Sequence, residues 1–152
     1  MSNVIPEKGH VVQLITPQDL AAASSSEVFS MSNYQHADII ILKGAGSAAT
    51  ITVEEADDFV PTTVDLIGFS YRTETTAAGD TLSTVGTAGT GGVAISANTS
   101  TMLIISIDAD ELDDGYPCLR IRNDAVGTCL LGVVVCLSNS RYQGAITPTA
   151  II

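Results

Sequence analysis

The chain has 152 residues, about one domain's worth and enough to bury a real core. Its 17 acids against 6 bases give a net charge of -11, which argues against nucleic acid or an anionic membrane as a partner, since both need clustered Lys and Arg. Charged residues are sparse and Ala, Ser, Thr, Gly, Val and Ile dominate, so a folded, strand-rich chain is expected rather than a disordered one.

In chain order, residues 1–9 read as an extended arm without the apolar core of a signal peptide, which predicts a soluble chain made in the cytoplasm. "HVVQLI" (His10 to Ile15) reads as a strand. In "TPQDLAAA", Thr16 suits an N-cap, Pro17 the first helical position and Asp19 the first turn, which predicts a short helix. "SSSEVFSMSN" alternates weakly, with Phe29 and Met31 on one face. "ADIIILKG" (Ala37 to Gly44) is a strong strand, and Ala49 to Ala56 alternates cleanly. Pro61 keeps Asp57 to Thr63 a loop. Val64 to Thr73 reads as one strand, with Leu66 on one face, Ile67, Phe69 and Tyr71 on the other, and a bulge at Gly68. The Gly-rich stretch Glu74 to Gly92 predicts a mobile hairpin or long loop with a short strand at Thr81 to Val85. "VAISAN", "TMLIISID", "CLRIRN" and "TCLLGVVVCLSN" complete about eight or nine strands, and "CLRIRNDAVGTCLLGVVV" reads as a hairpin turning at Asn123 to Thr128.

Many short strands and almost no helix predict an all-β, antiparallel β-sandwich or jelly-roll-like barrel, with one short N-terminal helix and extended terminal arms. The division is arm 1–9, a single β-domain 10–143 and arm 144–152. "DIIIL", "MLIISI" and "LLGVVVCL" are apolar at every position, whereas a sheet with one wet face alternates. Their second face is covered either by the chain's own loops or by another subunit. In the second case Ile40, Met102, Ile104 and Val134 are interface residues, joined by Val4, Ile5, Ile146, Ile151 and Ile152 of the arms, which lie on a neighbour. Closed symmetry favours a trimer.

Chemistry is hard to find. His10 and His36 sit at strand edges, and no G-x-S-x-G elbow occurs. "GTAGTGG" (Gly86 to Gly92) lacks the Lys of a phosphate-binding loop. Cys118, Cys129 and Cys136 have no metal spacing and read as buried free thiols. "IDADELDDGYPCLR" resembles a calcium loop at first. Counted from Asp108, however, Leu112 takes the third ligand place, the Gly comes two positions late and Leu119 takes the twelfth. It reads as an acidic connection between strands. Convergence of Asp108, Asp110 and Asp113 on calcium is the weaker alternative.

Three stretches carry a resemblance: "LITPQDLAAASSSEVFSMSNYQHADIIILKGAG", "IDADELDDGYPCLRIRND" followed by "VGTCLLGVVVCLS", and the closing "SNSRY". In these the chain resembles a family of small phage virion proteins of about this length. The match runs in order over most of the chain, and Asp57 to Thr99 carries little of it. The resemblance implies a capsid decoration or cement protein on the outer surface of the head. Its partners would be the major capsid protein lattice and other copies of itself, and it would have no catalytic residue and no cofactor. A tail or adhesin-type structural protein and a calcium-dependent carbohydrate-binding β-module are the alternatives.

Overall fold

The computed structural model describes residues 9–75, 81–141 and 150–151. These form twelve strands and one 3-10 turn. The strands are β1 (Gly9–Leu20), β2 (Ser24–Ser25), β3 (Phe29–Ser30), β4 (Tyr34–Gly46), β5 (Ala49–Ala56), β6 (Val64–Ile67), β7 (Phe69–Glu74), β8 (Gly86–Ala88), β9 (Val93–Ile95), β10 (Thr101–Asp108), β11 (Cys118–Asn123) and β12 (Cys129–Ser140). The turn spans Ala109–Glu111. Two antiparallel sheets result. The long-stranded sheet runs β1-β12-β4-β10-β7-β8; the short-stranded sheet runs β2-β11-β5-β6, with β3 also on β11 and β9 also on β5.

The core lies between the sheets because alternate residues of each point inward. Ile39, Ile41, Leu103, Ile105, Val133 and Val135 come from the long-stranded sheet; Ile51, Val53, Leu119 and Ile121 come from the other, and all are fully buried. Phe29 and Met31 share this core, as their spacing predicts. Burying ten such side chains contributes on the order of 15–30 kcal/mol before the opposing chain entropy. Lys43 also points inward, at one end, where its Nζ donates to the carbonyls of Gly44 (3.1 Å) and Ser96 (3.3 Å).

Four expectations are corrected. The predicted helix over "TPQDLAAA" is instead the second half of β1, where Gln18, Asp19 and Leu20 pair with Leu131, Leu130 and Cys129. The long ladder offered by β12 outweighs a capping signal worth about 1 kcal/mol. Pro17 is tolerated because it sits on an edge strand at a register shift, where no ladder N–H is needed. Its ring also packs on Gly132, where an added Cβ would lie 3.2 Å from Pro17 Cγ.

The strand predicted from Val64 to Thr73 is divided at Gly68. β6 belongs to the short-stranded sheet and β7 to the long-stranded one, so Gly68 is where the chain changes sheet. The expected faces hold: Phe69 is buried, Ile67 and Tyr71 pack on the core, and Leu66 is exposed.

The short strand expected at Thr81 to Val85 lies instead at Gly86–Ala88, inside the Gly-rich run, and pairs with β7. Ser83 ties the preceding segment down. Its N–H donates to the Thr73 carbonyl (2.8 Å), and its Oγ accepts the Thr73 N–H (3.0 Å). The remaining part of the predicted loop, 76–80, lies outside the described residues.

The hairpin predicted over "CLRIRNDAVGTCLLGVVV" is a crossing between sheets. β11 pairs with β5, and β12 pairs with β1 and β4. The corner is held by Asp124 N–H to Thr50 O (3.0 Å) and Ser47 N–H to Thr128 O (2.8 Å), and Ala125 plugs it with Ala49 and Cys129.

On the outside of the short-stranded sheet, Glu54 is buried between two cations. Arg120 Nε donates to its carboxylate at 2.5 Å and Arg122 Nη1 lies at 3.6 Å. Strand spacing puts both arginines on one face, as the sequence pattern requires. Glu54→Ala leaves the two guanidiniums facing each other, but both retain access to water. The expected cost is therefore about 2–3 kcal/mol, below that of a fully buried pair, and reads as a Tm drop of roughly 5–10 °C by calorimetry.

Candidate interaction surface

The outward face of the long-stranded sheet is built from the other half of the alternation. On β4 it presents His36, Asp38, Ile40 and Leu42 in sequence. The register sets their neighbours. Ile40 lies between Val134 of β12 and Ile104 of β10; Leu42 lies between Gly132 and Met102. Gln13 flanks Val134, and Arg72 and Glu74 of β7 flank Ile104 and Met102. The result is a continuous apolar band across three strands, β12, β4 and β10, with polar residues of β1 and β7 at its margins.

The band has relief. Leu42 is 56% exposed and Leu130 is 42% exposed. A recess of about 220 Å³ lined by Pro17, Leu130 and Gly132 lies on one side of Leu42. A second, about 280 Å³, is lined by Thr101, Met102 and Glu74 on the other. Pro17 lies directly over Gly132 at the edge of the first. Arg72 of β7 also lies on this face. Its Nη1 donates to the Ser83 carbonyl (3.0 Å), and no salt bridge to a carboxylate is formed among the described residues.

The opposite outer face differs in kind. On the short-stranded sheet the Glu54–Arg120–Arg122 cluster is charged, the apolar Val28, Ala56 and Cys118 are covered by Phe59 and Val64, and Leu66 stands exposed beside Glu54. Among the described residues one face of the sandwich is thus charged at its centre, the other apolar at its centre.

At one end of the open face the polar residues form a set. His36 Nδ1 lies 2.6 Å from Asp108 Oδ1 and Nε2 lies 3.2 Å from Asp38 Oδ1. Ser106 Oγ donates to Asp38 Oδ1 at 2.7 Å. Partial burial lowers the His36 pKa, but the hydrogen bonds it donates to Asp108 and Asp38 and the two negative charges outweigh it, so the net direction is upward.

The acidic connection places its three candidate ligands in different settings. Asp108 faces His36; Asp110 is exposed on the 3-10 turn; Asp113 donates its N–H to Glu55 Oε2 at 3.0 Å. Glu111 closes the turn by accepting the Asp108 N–H at 2.8 Å, and Gly115 takes a φ of +96°. Burial pushes the Glu55 carboxyl up, and the hydrogen bond to Asp65 pushes the Tyr116 phenol up. Among the described residues no group of three His, Cys, Asp or Glu side chains is placed to hold a metal ion. A recess of about 480 Å³ lies beside this connection, lined by Met31, Asp57, Leu112, Tyr116 and Arg141 among others.

Of the interface residues expected from sequence, Ile40, Met102, Ile104 and Val134 come together on the open face. Ile151 packs against the chain's own core, beside Ala150, whose carbonyl accepts the Ser30 N–H at 2.9 Å. Val4, Ile5, Ile146 and Ile152 lie outside the described residues. Sequence reasoning missed Leu42, Leu130 and Val11, which project from the same face. For Leu42 and Leu130 the signal is present in the same unbroken apolar runs; Val11 lies in "HVVQLI", outside them. Cys136 also reaches this face and is half-buried, whereas Cys118 and Cys129 are buried as expected; all three are free thiols. Comparison with family models, with curated proteins and with solved structures finds no match to this chain.

Proposed function

We propose that this chain is a phage virion structural protein, a capsid decoration protein that binds the assembled head lattice and stabilises it, acting as a trimer. The observation that carries the reading is the open apolar band of Ile40, Leu42, Met102, Ile104 and Val134, a surface of the kind that marks protein–protein contact. We assign it to contact between copies. A chain with a net charge of -11 repels its own kind, and contact is least costly through a face whose centre holds no charge.

The strand pairing supports the finer fold assignment. Pairs nest from outside inward: β1 with β12, β2 and β3 with β11, β4 with β10, β5 with β6. A long antiparallel ribbon rolled into two sheets gives this order, which is that of a jelly roll, an architecture used in viral capsid and lectin domains. Fold alone does not give function, so the weight rests on the surface and on the resemblance in sequence.

The mechanism follows from linkage. A protein that binds only the assembled lattice stabilises that lattice by mass action, and needs no active site to do so. Cryo-electron microscopy of the virion tests the assignment: density for this chain is expected on the outer head surface. Density confined to the tail would overturn it in favour of the tail-protein alternative.

A further inference from the structure

We propose that His36, held between Asp38 and Asp108 at one end of the open face, makes association of copies through that face pH-dependent. The inference rests on the reading of that face as a contact between copies and adds its regulation.

The geometry is specific. Both imidazole nitrogens face carboxylate oxygens, at 2.6 Å and 3.2 Å. A neutral imidazole has only one N–H, so one of the two contacts must then set a lone pair against a carboxylate. Only the imidazolium satisfies both. Asp38 is further fixed by Ser106, and Asp108 by the turn whose Glu111 accepts its N–H. Among the described residues no other ion pair to His36, Asp38 or Asp108 is formed. Across on β12 lie Ser138 and, one row on, Cys136, whose thiol is pushed up by burial and by Asp38 and so stays neutral. From the 3-10 turn come Asp110 and Glu111, both acidic. Arg141 lines the recess beside Asp108 with Gln35 and Asn139, but forms no salt bridge there among the described residues.

Charge gives the direction. With His36 protonated the three side chains sum to about one negative charge; with it neutral, to about two. Bringing such ends together between copies costs more in the second state, so association weakens as pH rises. The raised folded-state pKa of His36 gives the window. For association the reference is the folded single copy, whose His36 already stands above the ordinary value of about 6.5; the imidazolium contribution is complete below that raised value and is lost as pH climbs through the higher value set by a second copy's negative charge.

Sedimentation equilibrium of the full chain at about pH 6 and about pH 8.5 reads the effect, with a threefold to tenfold fall in association constant per copy expected. His36→Gln should bring the two values within about twofold of each other, because no proton is left to exchange at that site. Asp108→Asn, at an exposed position, is the second variant and should shrink the pH effect while the fold persists. NMR titration of the imidazole should place its midpoint above the ordinary value. A wild-type association constant that does not change with pH overturns this inference alone, as does an undiminished fall in His36→Gln. A monomer at both pH values overturns it together with the assembly reading.

Discussion

On the assembly proposed above, Ile40→Lys is expected to give monomers that keep the wild-type fold by circular dichroism. Ile40 sits at the centre of the open face, with Val134 and Ile104 in register on either side. In the monomer a lysine there can lay its methylenes along the neighbouring aliphatics and keep its ammonium in water. In an assembly the ammonium would be trapped at the dry centre of the contact without a carboxylate. Burial of an unpaired charge costs at least about 3 kcal/mol, or roughly a hundredfold in association constant. The sign of the substitution matters, because a lysine reduces the net charge of -11 and so weakens the general repulsion between copies. Loss of assembly would therefore report the contact itself. Leu66→Lys, exposed on the outer side of the short-stranded sheet and in register with Glu54, is the control and should leave assembly unchanged. Equal effects at the two positions would remove the open face from consideration, and sedimentation of both variants reads the difference.

That face was legible in the sequence for a simple reason. An apolar run without alternation must bury both sides of its strands or leave one exposed, and "DIIIL", "MLIISI" and "LLGVVVCL" become the three neighbouring strands β4, β10 and β12. Alternation tells which residues point inward but not which sheet a strand joins. Hence "VDLIGFSYRT" reads as one strand when Gly68 divides it between two sheets, and β11 and β12 read as a hairpin when they lie in different sheets. The helix signal at Thr16 to Asp19 is local, whereas the ladder that overrides it comes from β12, more than a hundred positions away. The His36–Asp108 contact spans 72 positions and depends on the β4–β10 register, so no motif in the chain announces it.

The Gly-rich run gives the sharpest test of that difference between local and long-range information. Composition alone makes "GTAGTGG" a mobile loop in which every glycine is equivalent. In the fold it carries the chain from β8 in one sheet to β9 in the other, and its glycines are not equivalent. Gly92 has a φ of +73°, and a Cβ there would lie 2.2 Å from the Ile51 carbonyl oxygen and 2.7 Å from Thr52 Cγ2. Gly89 and Gly91 have open space around them and no positive φ. Gly92→Ala combines a left-handed backbone with a clash against β5 that no side-chain rotation relieves. The expected cost is about 3 kcal/mol or more, a Tm drop of roughly 6–12 °C. Gly89→Ala and Gly91→Ala should be neutral or stabilise by up to about 1 kcal/mol, by restricting the unfolded chain. Three melting curves decide between the two descriptions. A mobile loop predicts three small and similar shifts. A pinned crossing predicts one large loss at Gly92, because the Val93–Ile51 pairing that closes the short-stranded sheet depends on the backbone approaching β5 at that point.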